Sequence, residues 1–149
     1  MNPFWSKVGV AILAVAALSG CGGSSDTTTG PSVSAAGSYT VTQWVTTGGS
    51  GQTNQLVAGS TFDLILGSNG TTFGHIHIAA SASNPAVDAD MTGTWTQQGM
   101  TVEISQAADT FVRDMPFTLT VNAADGWDLV GDKTFSGTQI KVTLHRVGV

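Results

Sequence analysis

The chain is short of the residues that most functions lean on. One cysteine stands in 149 residues, so no disulfide can form within the chain and the fold must rest on its core and backbone pairing. Only 10% of residues are charged, and Lys and Arg together number five against ten acids. Nucleic-acid binding draws its affinity from clustered basic residues, so that class of partner is excluded. There is no heptad and no glycine period, which removes coiled-coil and collagen readings. No apolar run reaches the ~20 residues a membrane-crossing helix needs. There is also no Gly-x-Ser-x-Gly elbow, no phosphate-cradling glycine loop and no His-Glu-x-x-His, so nothing selects an enzyme or a cofactor, and the chain reads as non-enzymatic. What is abundant is glycine (19 residues) and threonine, a composition of strands and turns.

The N-terminal stretch is an address. A single positive charge in Asn2–Lys7 precedes an apolar run from Val8 to Leu18, the length of a secretory h-region. Leu18-Ser19-Gly20-Cys21 then resembles the lipobox of bacterial lipoproteins. The resemblance implies a signal peptide over 1–20 and a mature protein that begins at Cys21. Its sulfur would carry a diacylglycerol thioether, and two or three acyl chains hold a protein firmly to a membrane. An ordinary cleaved signal peptide followed by a buried cysteine is the alternative. Gly22 replaces the aspartate that tends to retain lipoproteins at an inner membrane, so in a two-membrane host the resemblance implies an outer-membrane envelope protein. Residues 21–36, rich in Gly, Ser and Thr, read as the acylated cysteine and a flexible tether spanning roughly 20 Å.

Residues 37–149 alternate apolar and polar with period two, and no segment holds a helical period for three turns. The pattern predicts strands at Ser38–Val45, Thr61–Leu66, Thr72–Ala79, Met91–Gln97, Met100–Ser105, Phe111–Val121, Trp127–Gly131 and Thr138–Val147. Tight turns separate several of them, at Gly67–Gly70, Gln98-Gly99, Asp125-Gly126 and Ser136-Gly137. Eight strands with no crossover helix predict an all-β, antiparallel up-and-down meander, closed into a barrel to remove its edges. A two-sheet sandwich is the fallback. Parity puts Phe62, Leu64 and Leu66, then Met100, Val102 and Ile104, then Phe117, Leu119 and Val121, then Ile140, Val142 and Leu144 on the inner face.

Gly37-Ser38-Tyr39 at the head of the first strand resembles the Gly-x-Trp motif of the lipocalin and calycin group, with Tyr for Trp. In that group an Arg on the last strand packs over the aromatic ring and closes the barrel's base, and Arg146 matches that position. The resemblance implies a lipocalin-like barrel that takes a small apolar or amphipathic ligand. The long links Thr46–Ser60 and Ala79–Asp90 leave from the same end and frame the expected mouth. Trp44, Phe73, Trp95 and Trp127 are the candidate walls of a pocket; the other reading has them as plain core in a filled barrel that acts through its surface as an interaction or inhibitor module. Met91-Thr92-Gly93-Thr94-Trp95 also resembles the opening of avidin-like biotin binders. It falls on the fourth strand rather than the first, and it is read as hairpin chemistry.

His75-Ile76-His77 is the one metal-binding pattern, since residues two apart share a strand face. A third ligand would have to come from Asp63, Asp88 or Asp90. His145 lies on the last strand, away from the third. The simpler reading places Ile76 and Ile78 in the core and both histidines in solvent.

Overall fold

The computed structural model describes residues 33–122 and 126–148. Ten strands run in chain order: β1 Gly37–Gly48, β2 Gly51–Asn54, β3 Thr61–Leu66, β4 Thr71–Ile78, β5 Val87–Asp90, β6 Gly93–Gln98, β7 Thr101–Gln106, β8 Phe117–Asn122, β9 Gly126–Phe135 and β10 Thr138–Arg146. A one-turn 3-10 helix, Phe111–Asp114, precedes β8. Eight of the strands form a closed antiparallel ring, β1-β3-β4-β6-β7-β8-β9-β10, shut by β10 pairing back onto β1. The barrel is the up-and-down meander that the two-residue period predicts.

The two extra strands lengthen existing ladders rather than add to the ring. β2 folds back on the end of β1. β5 and β6 keep a single register along β4, with His75 opposite Asp90 and Thr72 opposite Gly93. They are one strand bent at Met91-Thr92, where the buried Met91 side chain turns inward and its N–H donates to Gly74 O at 3.0 Å. Both long links are therefore shorter than expected, because part of each pairs with the strand before it.

Turn chemistry sets the hairpins. Ser136 and Gly137 both adopt positive φ (47° and 85°) between the paired Phe135 and Thr138, the two-residue turn whose twist suits flanking strands. The inner face carries Tyr39, Trp44, Phe62, Leu64, Leu66, Ile76, Val102, Ile104, Phe117, Leu119, Leu129, Val142 and Leu144, all buried. Two expected inner residues stand elsewhere. Met100 sits in the β6–β7 turn and Val121 one rung before the end of β8, and both are exposed, because parity says which way a residue points but not whether the barrel extends that far.

The expected strand over Phe111–Val121 is the other correction. Pro116 has no N–H to give a ladder, so β8 begins only after it. Upstream, Arg113 N–H donates to Thr110 O at 3.3 Å and the Arg113 guanidinium reaches Asp109 at 2.6 Å, which winds the segment into a turn. This leaves β7 and β8 joined by only two register pairs, Thr101–Thr118 and Val102–Phe117.

Candidate functional site

One end of the barrel is closed by the chain just ahead of β1. Ala35 is fully buried, and Val33 packs on the core. Gln97, on β6 across the barrel, holds this strap at both faces of its amide: Ala35 N–H donates to Oε1 at 2.8 Å, and Nε2 donates to Val33 O at 2.7 Å. From the β1 side, Tyr39 OH donates to Ala35 O at 2.6 Å. Arg146, the register partner of Tyr39, donates from Nη2 to Ser34 O and Ala36 O at 2.6 Å each. Its guanidinium carbon lies 5.5 Å from the Tyr39 ring centroid. The structure thus brings Gly37, Tyr39 and Arg146 together at the barrel's base. Burial pushes the Tyr39 phenol above its ordinary pKa, against the opposing pull of the Arg146 charge.

The opposite end is plugged from within the chain. Phe111 of the 3-10 helix packs tilted, at 56°, against Trp44 with 5.3 Å between centroids and meets Phe62 edge-on at 6.4 Å. Val112 and Met115 beside it are buried. Met115 sulfur fills the space over Gly131, where a β-carbon would collide with it. Beneath the helix, Gln106 Nε2 donates to Thr110 Oγ1 at 2.6 Å. Two buried polar atoms there have no partner, Trp44 Nε1 and Gln106 Oε1.

The four expected pocket residues do not converge. Trp44 lies at the plugged end. Trp95 and Trp127 are half-buried towards the strap end, and Trp95 Nε1 donates to Gly67 O at 2.8 Å. Phe73 is a correction: it points outward and is 49% exposed, because Thr72, Gly74 and Ile76 take the inward phase of β4. Phe73 cannot wall an interior pocket.

A recess of about 480 Å³ does occur, but on the outer wall. It follows the β7–β8 seam where pairing stops. Thr94–Thr96 and Glu103–Ser105 form one side, so that Trp95 borders it, and Arg113–Pro116 and Lys133 form the other. On that second side Lys133 Nζ donates to Asp114 O.

His75 and His77 face outward on β4, as does Asp88 on β5. His77 Nδ1 lies 2.8 Å from Asp88 Oδ1, and His75 Nε2 lies 3.9 Å from the same oxygen. Asp63 instead accepts from Thr40 Oγ1 at 2.8 Å. Among the described residues no group of three or more His, Cys, Asp or Glu is arranged to hold a metal ion. His145 is engaged with Asp128 at 2.8 Å. Cys21 lies outside the described residues.

Gln97, Gln106 and Phe111 were not singled out by the sequence. The two glutamines had a signal: each occupies an inward-phase position among apolar neighbours, where an amide must have work to do. Comparison of the chain with protein-family models, with curated proteins and with solved structures finds no match.

Proposed function

We propose that the chain is a lipid-anchored envelope protein, tethered through Cys21, whose barrel is a non-enzymatic recognition module acting through its outer wall. One observation carries the second half of this reading: the chain's own segments stop both ends of the barrel. The strap lies across one end and Phe111 fills the other, while the ring of buried side chains occupies the space between. An eight-stranded barrel is just narrow enough for that. The seam groove offers an accessible recess, lined by hydroxyls, by both signs of charge and by Trp95, Ile104 and Met115. The lipobox at Leu18–Cys21 supports the anchor, and the barrel with Arg146 over Tyr39 supports a likeness to lipocalins.

A second reading is favoured by one specific observation. Trp44 Nε1 and Gln106 Oε1, a donor and an acceptor, are buried without partners beneath the 3-10 helix. An unpaired buried polar group costs on the order of 1–3 kcal/mol. A small amphipathic molecule that displaced Phe111 would satisfy both, and the barrel would then bind its ligand inside.

Native mass spectrometry of the mature protein from its own envelope separates the two. The surface reading expects the mass of the polypeptide plus acyl chains, and a captured protein partner lost on exchanging charges at Glu103→Lys and Lys133→Glu. A reproducible extra mass that leaves on denaturation, and is lost in Trp44→Phe, would overturn it in favour of the interior site.

A further inference from the structure

The exposed apolar side chains are not spread evenly over the barrel. Met100 in the β6–β7 turn, Val121 at the end of β8 and Val147 after β10 are 42%, 69% and 43% exposed, and register places all three at the strap end. Ile65 and Phe73, a cross-strand pair pointing outward, flank the Gly67–Gly70 turn at that same end. Charge is distributed in the opposite sense. Among the described residues the strap-end turns and the strap itself carry no Asp or Glu, and Asp128, two residues past Gly126 on β9, is held by His145. Asp125 lies outside the described residues. Towards the plugged end stand Asp88, Asp90, Asp109, Asp114 and Asp132. Of the exposed apolar residues at that end, Val87 is next to Asp88 and Val57 stands in the loop before β3.

The strap end is also where the tether joins. Val33 is pinned there by Gln97, and only Gly22–Ser32 separate it from Cys21. Such a composition predicts a reach of roughly 18 Å. We infer that the strap end rests on the lipid surface itself, with Met100, Val121 and Val147 in the headgroup–acyl boundary and the Ile65–Phe73 pair beside them, so that the plugged end faces away. This rests on the anchor at Cys21 and adds a second contact to it. Amphipathic surfaces settle about 5–10 Å into that boundary, a depth that covers the first rungs of the barrel. An anionic bilayer repels carboxylates, and among the described residues the strap end carries fewer of them than the plugged end, so it is the end that can approach.

The test uses the mature full-length protein in nanodiscs of phosphatidylethanolamine and phosphatidylglycerol doped with a gadolinium-chelate lipid. Amide relaxation is read by NMR. Ser68–Gly70, Gly99–Met100, Val121 and Val147 should broaden several-fold more than Val57, Ser83 and Thr110. Met100→Asp with Val121→Asp should erase that contrast while the protein stays on the disc, and Val121→Thr alone should reduce it; thermal unfolding verifies that each variant is folded. Equal broadening at both ends, stronger broadening at Val57 and Thr110, or a contrast unchanged in the double variant overturns the docking. Mass spectrometry of Cys21 separates the causes: an acylated protein without contrast sinks the docking alone, whereas an unmodified Cys21 sinks the anchor and the docking together.

Discussion

Tyr39 concentrates several demands on one side chain: its ring is core, its hydroxyl ties down the strap, and its face carries Arg146. Burial raises its pKa, so the folded state binds the phenolic proton more tightly than the unfolded chain does. The sign follows. Below the unfolded value near 10 the two states are equally protonated and stability is flat in this respect. As pH climbs from there through the higher folded value, the unfolded chain loses its proton first and stability falls. Because this is the chain's single tyrosine, the tyrosinate absorbance near 295 nm reports it alone. The expected curve has a midpoint above pH 10 that coincides with loss of structure by circular dichroism; a free titration at about 10 in folded protein would contradict the burial. Tyr39→Phe should abolish the alkaline fall yet cost about 1 kcal/mol at neutral pH, read by urea unfolding, since Ala35 O loses its donor. Arg146→Lys should weaken the same corner, because one ammonium on a flexible stem replaces a planar fork that meets two carbonyls while lying over a ring.

At the scale of elements, the strap and the 3-10 helix are the two pieces that turn an open tube into a closed body. The strap owes its place to Gln97, and Gln97→Ala would leave Ala35 N–H and Val33 O without their partners. Hydrogen exchange at Ala35 should then speed markedly while β9–β10 amides keep their protection; unchanged exchange would mean that Tyr39 and Arg146 hold the strap unaided. The helix owes its place to Phe111 and Met115, and Gly131→Ala would force Met115 out of the space it fills. Overpacking of this kind costs typically ~1–3 kcal/mol, so the melting temperature should drop by several degrees. These two elements also mark where the sequence stopped being readable. Strands announced themselves by parity, and Ser136-Gly137 by its dipeptide, because both signals are local. The strap did not, since Val33–Ala36 looks like tether until one sees Gln97 reach it from 62 residues away. Phe111-Val112 looks like a strand because apolar neighbours do; only Pro116 hints that the ladder starts later. Phe73 stands outside for a related reason: an aromatic on a strand suggests core, yet the inward phase here belongs to a threonine, a glycine and an isoleucine. Gly37, Tyr39 and Arg146, in contrast, came together from a motif and a strand position, because both ends of one barrel seam are named by the ends of the chain.

For the whole molecule the question is where a closed barrel yields. Closure makes every strand depend on two neighbours, and a ring without disulfides opens at its weakest ladder. β10 is held by eight register pairs to each side, whereas β7 and β8 share two. Above those pairs, Glu103–Ser105 borders the recess, with Asp114–Pro116 and not a strand on that side. Opening there would cost few backbone hydrogen bonds and would swing the 3-10 helix with β8, exposing Trp44 and Gln106, whose unpaired atoms lose least by meeting water. The groove, the plug and the two unpartnered polar atoms are therefore parts of one weak sector, set away from the well-paired β9-β10-β1 wall. Native-state hydrogen exchange should find amides of Gln106–Leu119 opening with a free energy below the global value, as a single group, while Leu129, Val142 and Leu144 exchange only on complete unfolding. A cross-link between Glu103→Cys and Pro116→Cys, bridging the recess, should raise the first set to the level of the second. If the Gln106–Leu119 amides already exchange at the global value in the natural chain, the barrel opens as one unit and the seam is merely a groove.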